Sequence, residues 1–352
     1  MSQPYRLIQV GTGGMGSAWC NRILPDHVDA GTIDVVAAVD IDESVLDNAA
    51  AVDVPPERRY TDVETAFAEV DADCCTVVVP PAVHEDVVDA AIEHDLHVLS
   101  EKPIAETLDA SVRIADKVEA AGLKMGVTMS HRFRDDLTTL RRQIRAQDAG
   151  ELDYIVARLL CSYREYGSWG AFRHDMEQPL LVDGAVHHLD LLADMAGGNC
   201  TRLYAETWQP SWGTFADDSE ALVTMRFDNG VRVTYEGALT NASALNCWGN
   251  EYVRAECSDT SLVLSRHELE RHDLEGDTDG EGNGAAVALD DQQWWGHQWL
   301  VQQFVDWLDG GEPMPTNVRD NLVSMALVEA AVESGRTGEP TNPQAMLEAA
   351  QE

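Results

Sequence analysis

The first third of the chain alternates short apolar runs with stretches of helical periodicity. Runs that predict strands are Leu7–Val10, Asp34–Val39, Cys74–Val79, Val98–Leu99 and Met125–Met129. Two intervening segments, Ala82–His94 and Leu108–Ala121, predict helices, and Gly122 follows the second as a C-cap glycine should. This alternation is typical of βαβ units, so it predicts a doubly wound α/β domain with a parallel sheet.

After about residue 150 the apolar pattern changes from short runs to alternation with a period of two. Ser219–Phe227 and Val231–Tyr235 alternate around Asn229-Gly230, which predicts a β-hairpin. Strand-like sequence continues to about residue 272, and helical periodicity returns in Gln298–Leu308 and Arg319–Ser334. We therefore expect a first domain over residues 1–128 and an α+β domain over 129–352, with a large, mostly antiparallel open sheet.

The charge balance narrows the possible partners. The chain carries 62 acidic and 24 basic residues, a net charge of -38, which argues against nucleic acid and anionic membranes. Lysine occurs only at Lys102, Lys117 and Lys124. Molar salt shortens the screening length to about 3 Å, so this surface predicts a salt-adapted protein. A dedicated basic partner is the alternative, but the acidic residues are spread along the chain.

Neither a membrane segment nor a metal motif is evident in the sequence. Met1 is followed within a few residues by an apolar strand, which predicts that the protein has no signal peptide. Seven scattered cysteines without CxxC spacing predict a reducing, cytoplasmic location. The segment Asp277–Asn283 is similar to a calcium loop, but its twelfth position is Ala288 rather than glutamate, so an acidic loop is the better interpretation.

A glycine-rich turn follows the first predicted strand and opens a helix. It comprises Gly11, Thr12, Gly13, Gly14, Met15 and Gly16. Glycines at this spacing allow a tight turn and close approach of backbone to a pyrophosphate, and the helix N-terminus attracts its charge. The turn therefore predicts a Rossmann dinucleotide site; a purely structural glycine turn is the alternative.

Asp40 ends the second predicted strand, where a carboxylate can accept hydrogen bonds from the adenosine ribose hydroxyls. We also expect Ile41, the next residue, to contact the cofactor. No arginine or lysine lies between residues 35 and 50 to receive a 2'-phosphate. We therefore expect NAD, with NADP less favoured, although Asp40 could also be one more surface acid of a salt-adapted protein.

Glu101-Lys102-Pro103 follows the short strand Val98–Leu99, at the edge of the sheet where ligands bind in open α/β folds. An ammonium group there can bind a substrate hydroxyl and stabilise a developing alkoxide. Glu101 could pair with the cofactor or with Lys102. An ordinary surface lysine is the alternative. It is less favoured because the whole chain contains three lysines.

A second candidate group lies in a predicted helix that runs from Asp183 to about Met195. At 3.6 residues per turn, Asp183, His187 and Asp190 project from one face. An imidazole can take the hydroxyl proton while a flanking carboxylate orients it. Metal binding through His187 and the acids, or ordinary surface polarity, are the alternatives.

Together these motifs resemble those of the Gfo/Idh/MocA oxidoreductases, a family that includes glucose-fructose oxidoreductase and inositol 2-dehydrogenase. The resemblance covers nearly the whole chain. Its carriers are the glycine turn, Val79–His84, Glu101-Lys102-Pro103, His131-Arg132-Phe133 and the helix with Asp183, His187 and Asp190. One departure is Glu177–Val182, where many members have a glycine-rich stretch, so the pocket shape does not carry over.

The resemblance implies roles for these residues. Lys102 and His187 would form the catalytic pair, Asp183 would assist, and Asp190 would touch substrate. The nicotinamide would lie against Val79–His84, with Val79, Pro80 and His84 as contacts, and Glu101 and Lys102 beside it. The family also commonly forms dimers or tetramers through the open face of the second sheet.

The substrate is the least constrained part of the prediction. Trp169 and Arg173 precede the predicted catalytic helix and, with Arg132, are candidate substrate contacts, because aromatic faces stack well on sugars. We expect NAD-dependent oxidation of a secondary alcohol of a sugar, cyclitol or related polyol. An NAD-dependent glycosidase without net redox and a non-catalytic NAD-binding regulator are the alternatives.

Overall fold

The computed structural model describes residues 3–274 and 284–352, so the acidic segment Asp277–Asn283 lies outside the described residues. The chain divides into two compact units. The first is Met1–Phe133 with Trp294–Leu322, and the second is Arg134–Gln293 with Val323–Glu352. The sequence predicts one boundary, at residue 128. The division in the structure differs, because the segment from Trp294 to Leu322 belongs to the first unit.

The strands lie in two sheets, with the bounds that follow. They are β1 Tyr5–Val10, β2 Ile33–Val39, β3 Arg59–Tyr60, β4 Cys74–Val77, β5 His97–Ser100, β6 Met125–Val127, β7 Leu152–Leu160, β8 Cys200–Trp208, β9 Glu220–Phe227, β10 Arg232–Ala238, β11 Tyr252–Cys257, β12 Thr260–Ser265, β13 Glu268–Asp273 and β14 Ala285–Val287.

The helices have the following bounds. They are α1 Met15–Ala18, α2 Leu24–Asp29, α3 Val63–Glu69, α4 His84–Glu93, α5 Leu108–Ala120, α6 Asp135–Ile144, α7 Ala171–Asp175, α8 Val186–Ala196, α9 Gly296–Leu308, α10 Val318–Thr337 and α11 Pro343–Ala350. The π-helical turn Trp19–Ile23 joins α1 to α2, and a second one, Leu180–Ala185, precedes α8. Residues Glu43–Val52 form 3-10 turns.

The first unit contains a six-stranded sheet in the order β3-β2-β1-β4-β5-β6. Every pair in it is parallel. This is the doubly wound order in which ligands bind beyond the carboxyl ends of the strands, where the strand order reverses between β1 and β4. The α/β prediction for this part of the chain is confirmed.

Helix α9 completes the core of the first unit. Its residues Leu300, Val301 and Phe304 are buried with Trp19 and Leu24 in one hydrophobic cluster. Each such side chain contributes about 1.5–3 kcal/mol when fully removed from water. The return of the chain at residue 294 therefore stabilises the unit that carries the glycine turn.

The second unit contains an eight-stranded sheet in the order β14-β13-β12-β11-β7-β10-β9-β8. Among the described strands of this second sheet, β7 and β10 form the one parallel pair. On β9 the side chains of Val223 and Met225 are buried, whereas Leu222 and Thr224 are exposed, so one face of the sheet packs on the unit's core. The expected open, mostly antiparallel sheet is confirmed.

Cysteine pairing differs from what the sequence indicates. Cys161 and Cys247 form a disulfide, which scattered cysteines without a motif did not predict. Cys74 and Cys75 are fully buried on β4, as expected, and burial raises the pKa of both thiols. In the described part of the chain, no helix is both long enough and apolar enough to cross a membrane.

Candidate active site

The glycine turn connects β1 to α1, and two of its glycines are required by packing. Gly11 has φ 89°, and a Cβ there would overlap the carbonyl of Val78. A Cβ on Gly16 would overlap the carbonyl of Gly11. Gly13 differs, because a Cβ there would lie 3.5 Å from Val45, an ordinary contact. The shape of the turn thus requires glycine at positions 11 and 16, whereas the surrounding protein leaves room for a methyl group at Gly13.

Asp40 fixes the glycine turn at the end of β2. Its Oδ2 accepts the backbone N–H groups of Thr12 at 2.7 Å and Gly13 at 3.0 Å, and its Oδ1 accepts that of Asp42 at 3.0 Å. The following side chain, Ile41, is 93% exposed. A carboxylate beside the turn and an apolar side chain open to solvent suit a ribose with an adjoining adenine.

The segment after β4 is braced by a buried histidine. His84 begins α4, and its Nε2 lies 2.9 Å from the carbonyl oxygen of Val79 while its Nδ1 lies 3.2 Å from that of Ile104. Burial lowers the pKa of His84. These contacts hold the Val79-Pro80 backbone at the carboxyl edge of the sheet. Both ring nitrogens of His84, which the sequence suggested as a cofactor contact, thus face backbone carbonyls of the protein.

Glu101 and Lys102 follow β5 at the same edge. Glu101 is 8% exposed, and its Oε1 accepts the indole N–H of Trp19 at 2.8 Å and lies 3.1 Å from Nε2 of His297. The backbone N–H of Lys102 donates to Oε2 at 3.3 Å, and the Lys102-Pro103 bond is cis. Glu101 is thus held by groups of its own unit.

The carboxyl ends of parallel strands share one edge of a sheet, so the first unit gathers most of its predicted residues. The turn Gly11–Gly16, Asp40, Val79-Pro80 and Glu101-Lys102 follow β1, β2, β4 and β5 respectively. Arg132 lies in the turn Ser130–Phe133, which follows β6. Such an edge is where a dinucleotide binds in this topology.

The helix that carries His187 and Asp190 begins later than the sequence predicts. Asp183 lies in the π-helical turn Leu180–Ala185, and α8 starts at Val186. The prediction that Asp183 belongs to the same α-helix is therefore wrong, since Pro179 and Gly184 allow a wider turn there. His187 is 8% exposed, and its ring meets that of Trp248 edge to face at 6.3 Å.

Asp190 is directed into the packing of the second unit. It is 1% exposed, and one carboxylate oxygen accepts the hydroxyl of Ser324 at 2.6 Å. A carboxylate this buried is stable only when donors satisfy it. The contact anchors α8, and a role of Asp190 towards substrate stays a prediction.

Asp183 pairs with Arg173. The Nε of Arg173 donates to Oδ2 of Asp183 at 2.5 Å, and its Nη1 donates to the carbonyl of Trp169 at 3.1 Å. The guanidinium also lies over the rings of Trp169, at 4.9 Å, and Phe172, at 4.4 Å. Arg173 is thus fixed in a single orientation beside Asp183.

Trp169 belongs to a cluster of aromatic rings. It stacks on Tyr163 with ring centres 5.5 Å apart and 2° between planes, and on Trp248 at 6.2 Å. With Arg173 on it as well, Trp169 serves as a platform for the guanidinium. Its expected role as a direct stacking surface for a sugar stays a prediction.

The sequence analysis missed several side chains that contact the predicted residues within each unit. Trp19 and His297 hold Glu101, and Trp248 contacts His187. They escaped detection because each contact joins positions at least 60 residues apart, and pattern along the chain does not report such pairs. The tandem Trp294-Trp295 followed by His297 was the one local signal, since aromatic and imidazole groups so close together seldom all face solvent.

Comparison with known proteins identifies both units. Residues 6–129 match the family model described as "Oxidoreductase family, NAD-binding Rossmann fold", and residues 141–342 match the one described as "Oxidoreductase family, C-terminal alpha/beta domain". The chain is 46% identical over 349 residues to an uncharacterized protein, y4oX, of Sinorhizobium fredii, covering 98% of this chain and 97% of that one.

Two relatives that carry an enzyme name are less similar to this chain. An inositol 2-dehydrogenase of Corynebacterium glutamicum is 28% identical over 67% of each chain, and a D-apiose dehydrogenase of Paraburkholderia graminis is 24% identical over 87% of this chain and 82% of that one. A crystal structure of an Agrobacterium radiobacter oxidoreductase in complex with NAD+, L-tartaric acid and magnesium shares the fold. Its TM-score is 0.85 at 19% identity, covering 98% of this chain and 100% of that one.

Proposed function

The chain belongs to the Gfo/Idh/MocA oxidoreductase family, and on this premise we propose that it oxidises a secondary alcohol of a sugar, cyclitol or related polyol reversibly with NAD. The observation that carries the proposal is that the predicted residues of the first unit lie at the carboxyl edge of the parallel sheet. There the glycine turn, Asp40 and Lys102 follow strands β1, β2 and β5 of the same sheet. The relatives named as inositol and apiose dehydrogenases support the substrate class.

The residues of the first unit fit a bound NAD. The glycine turn opens α1, whose N-terminus favours a pyrophosphate, and the turn is open at Gly14, where a Cβ would meet nothing within 4 Å. Asp40 offers a carboxylate to ribose hydroxyls, and its negative charge opposes a 2'-phosphate, which favours NAD over NADP. When bound, NAD supplies the hydride acceptor.

The remaining chemistry belongs to the chain's own side chains. Lys102 donates a hydrogen bond to the substrate oxygen and stabilises it as negative charge develops. His187 removes the hydroxyl proton as a general base. Asp183, paired with Arg173 in the turn that precedes α8, supports the imidazole that gains a proton.

The proposal is tested by following NADH formation with a panel of inositols, aldoses, sugar acids and polyols in molar potassium chloride. NAD and NADP are compared in parallel. We expect reduction of NAD by one class of polyol, with NADP used at least tenfold less well. Release of free sugar from a glycoside without net NADH would instead identify a glycosidase.

A further inference from the structure

The disulfide of the second unit ties an exposed segment to the sheet. Cys161 directly follows β7 and is fully buried, and its backbone N–H donates to the carbonyl of Ala238 on β10 at 2.8 Å. Cys247 is half-buried and lies between β10 and β11, in a segment whose residues 242–245 are exposed. The buried sulfur therefore belongs to the sheet, whereas the accessible sulfur belongs to the segment between the strands.

Trp248 follows Cys247 and lies against the helix that carries the proposed general base. Its ring meets that of His187 edge on at 6.3 Å, and its distance from the ring of His188 is 5.6 Å. It also stacks on Trp169 with ring centres 6.2 Å apart. Aromatic rings favour such edge-to-face and stacked contacts. The residue next to the accessible sulfur thus packs on the imidazole of His187, which is 8% exposed.

A second contact leads from Cys247 into the same cluster of rings. The hydroxyl of Tyr163 lies 3.5 Å from Sγ of Cys247, and the ring of Tyr163 stacks on Trp169 at 5.5 Å. Trp169 in turn supports the guanidinium of Arg173 at 4.9 Å. The neighbours of Cys247 in sequence and in space therefore both pack on residues of the candidate site.

Breaking the disulfide removes a covalent tie between this segment and β7. A backbone hydrogen bond from the N–H of Leu160 to the carbonyl of Asn246, at 3.1 Å, lies beside it, and the adjoining Leu245 is 51% exposed. Segments with exposed side chains open more readily than buried strands. Loss of the covalent tie therefore allows Trp248 to move away from His187 while β7 and β10 stay paired.

The exchange chemistry follows from the unequal access to the two sulfurs. The thiolate of a dithiol bonds to Sγ of Cys247, the sulfur–sulfur bond breaks, and Cys161 leaves as a thiolate that takes up a proton. The second thiol of the reductant then displaces Cys247 from the mixed disulfide. Two electrons and two protons pass to the protein, which gains two thiols, and the reductant becomes a disulfide.

We propose that the bond between Cys161 and Cys247 is a redox switch of the candidate active site. The oxidised form holds Trp248 against His187 as a positioning residue, and reduction by a dithiol withdraws Trp248 and lowers turnover. The inference rests on the proposed function for the effect on turnover alone. The exposure of His187 can be measured without substrate or cofactor, so the two proposals fail separately.

The first measurement compares His187 in the oxidised and the reduced protein. After treatment with dithiothreitol and its anaerobic removal, diethyl pyrocarbonate modifies accessible imidazoles at one fixed pH, and peptide mass spectrometry assigns them. We expect His187 to react about threefold faster or more after reduction, because local opening exposes it. His267, whose side chain is 50% exposed, is the internal reference. Alkylation in denaturant verifies each state, with five thiols before reduction and seven after it.

Trp248→Ala is the decisive variant, because it removes the ring that joins the disulfide to His187. In this variant His187 should react rapidly in both states, so reduction no longer changes its rate. Trp212→Ala is the matched control, since Trp212 is 58% exposed and donates to the carbonyl of Thr240. Its response to reduction should equal that of wild type. Cys257→Ser, which replaces a cysteine outside the disulfide, should also respond as wild type.

Turnover is then measured with the best polyol of the panel. We expect reduction to lower kcat about fivefold or more, as displacement of a positioning contact does. The affinity for NAD should stay unchanged, because the disulfide belongs to the second unit. Oxidised glutathione should restore kcat, whereas irreversible unfolding would not be reversed.

Four results would each overturn the proposal. They are a bond that dithiothreitol does not reduce in the folded protein, a smaller than threefold response of His187 in wild type, an equal response in Trp248→Ala, and an unchanged kcat in the reduced enzyme. The wild-type comparison decides the question if Trp248→Ala does not fold. A polyol panel without NADH formation would overturn the proposed function but would leave the labelling result standing.

Discussion

Single side chains in the second unit are held by contacts that restrict what each can do. Arg173 donates through Nε to Asp183 and through Nη1 to the carbonyl of Trp169, so its orientation is fixed before any ligand binds. A planar guanidinium can make both contacts at once, whereas an ammonium group cannot reproduce that fork. The pair therefore fixes the position of Asp183.

Arg173→Lys should therefore weaken substrate binding and turnover together. We expect kcat/KM to fall about tenfold or more, since one charge-assisted hydrogen bond contributes about 1.5–3 kcal/mol. Steady-state kinetics with the best polyol of the panel measure the change. Arg164→Lys is the control, because Arg164 lies over Trp212 and donates to the carbonyl of Thr240 without contacting Asp183. Equal losses in both variants would contradict a specific role for Arg173.

Among the elements, the glycine turn has one glycine that the fold requires, Gly16, and one, Gly13, that we expect to matter for cofactor binding alone. Gly16→Ala places a methyl group on the carbonyl of Gly11 and should lower both the unfolding free energy and the affinity for NAD. Gly13→Ala meets only ordinary contacts within the protein, so it should unfold like wild type and yet bind NAD at least tenfold more weakly. Urea unfolding and calorimetric titration test the pair. Unchanged NAD affinity in Gly13→Ala would show that the pyrophosphate does not approach there.

Elements with strong local patterns could be predicted from the sequence. The hairpin at Asn229-Gly230 is confirmed, with β9 and β10 antiparallel and Arg226 opposite Arg232. The predicted helices Leu108–Ala121 and Gln298–Leu308 correspond to α5 and α9 within two residues. Alternation and helical periodicity are local properties, which explains this success.

Elements whose form depends on distant contacts could not be predicted. β3 has two residues and exists because it pairs with β2, and α3 follows it after the Asp62 cap. The π-helical turn that displaces Asp183 from α8 is likewise invisible to a periodicity of 3.6. For the candidate site, the types and strand-end positions of Asp40 and Lys102 were predictable, whereas their hydrogen-bond partners were not.

The disulfide between Cys161 and Cys247 is the element-scale feature that differs most from expectation. It links the residue after β7 to a segment 86 residues further along, and Trp248 adjoins it. We expect the oxidised protein, unfolded in denaturant without reductant, to expose five of its seven thiols to alkylation. Mass spectrometry counts the modified cysteines. Seven modified thiols would contradict the pairing.

For the whole molecule, we propose that the acidic surface makes the stability of the fold depend on salt. A net charge of -38 repels itself in dilute buffer, and screening by salt removes that cost. We expect the thermal midpoint to rise steadily between 0.1 M and 2 M potassium chloride, measured by circular dichroism. Sucrose at equal osmolality is the control and should raise the midpoint less. A midpoint that does not respond to the salt would contradict the proposed salt adaptation.

The assembly is also a property of the whole molecule. Tyr204 and Trp208 on β8 and Leu222 on β9 are exposed apolar side chains of the eight-stranded sheet. Apolar side chains grouped on one sheet favour association. They support the proposal that copies of the chain associate through this sheet, which light scattering in molar salt would detect as a mass of twice or four times 38.6 kDa.

The central claim, that Lys102 acts in NAD-dependent oxidation of a polyol, is tested most directly by comparing wild type with Lys102→Met in one measurement. NADH formation is followed with the best substrate of the panel in 2 M potassium chloride, after calorimetry has established the affinity of each protein for NAD. We expect the variant to bind NAD within about twofold of wild type and to lose a factor of about a hundred to a thousand in kcat, as when one donor to a developing oxyanion is removed. Full turnover by Lys102→Met would contradict the account.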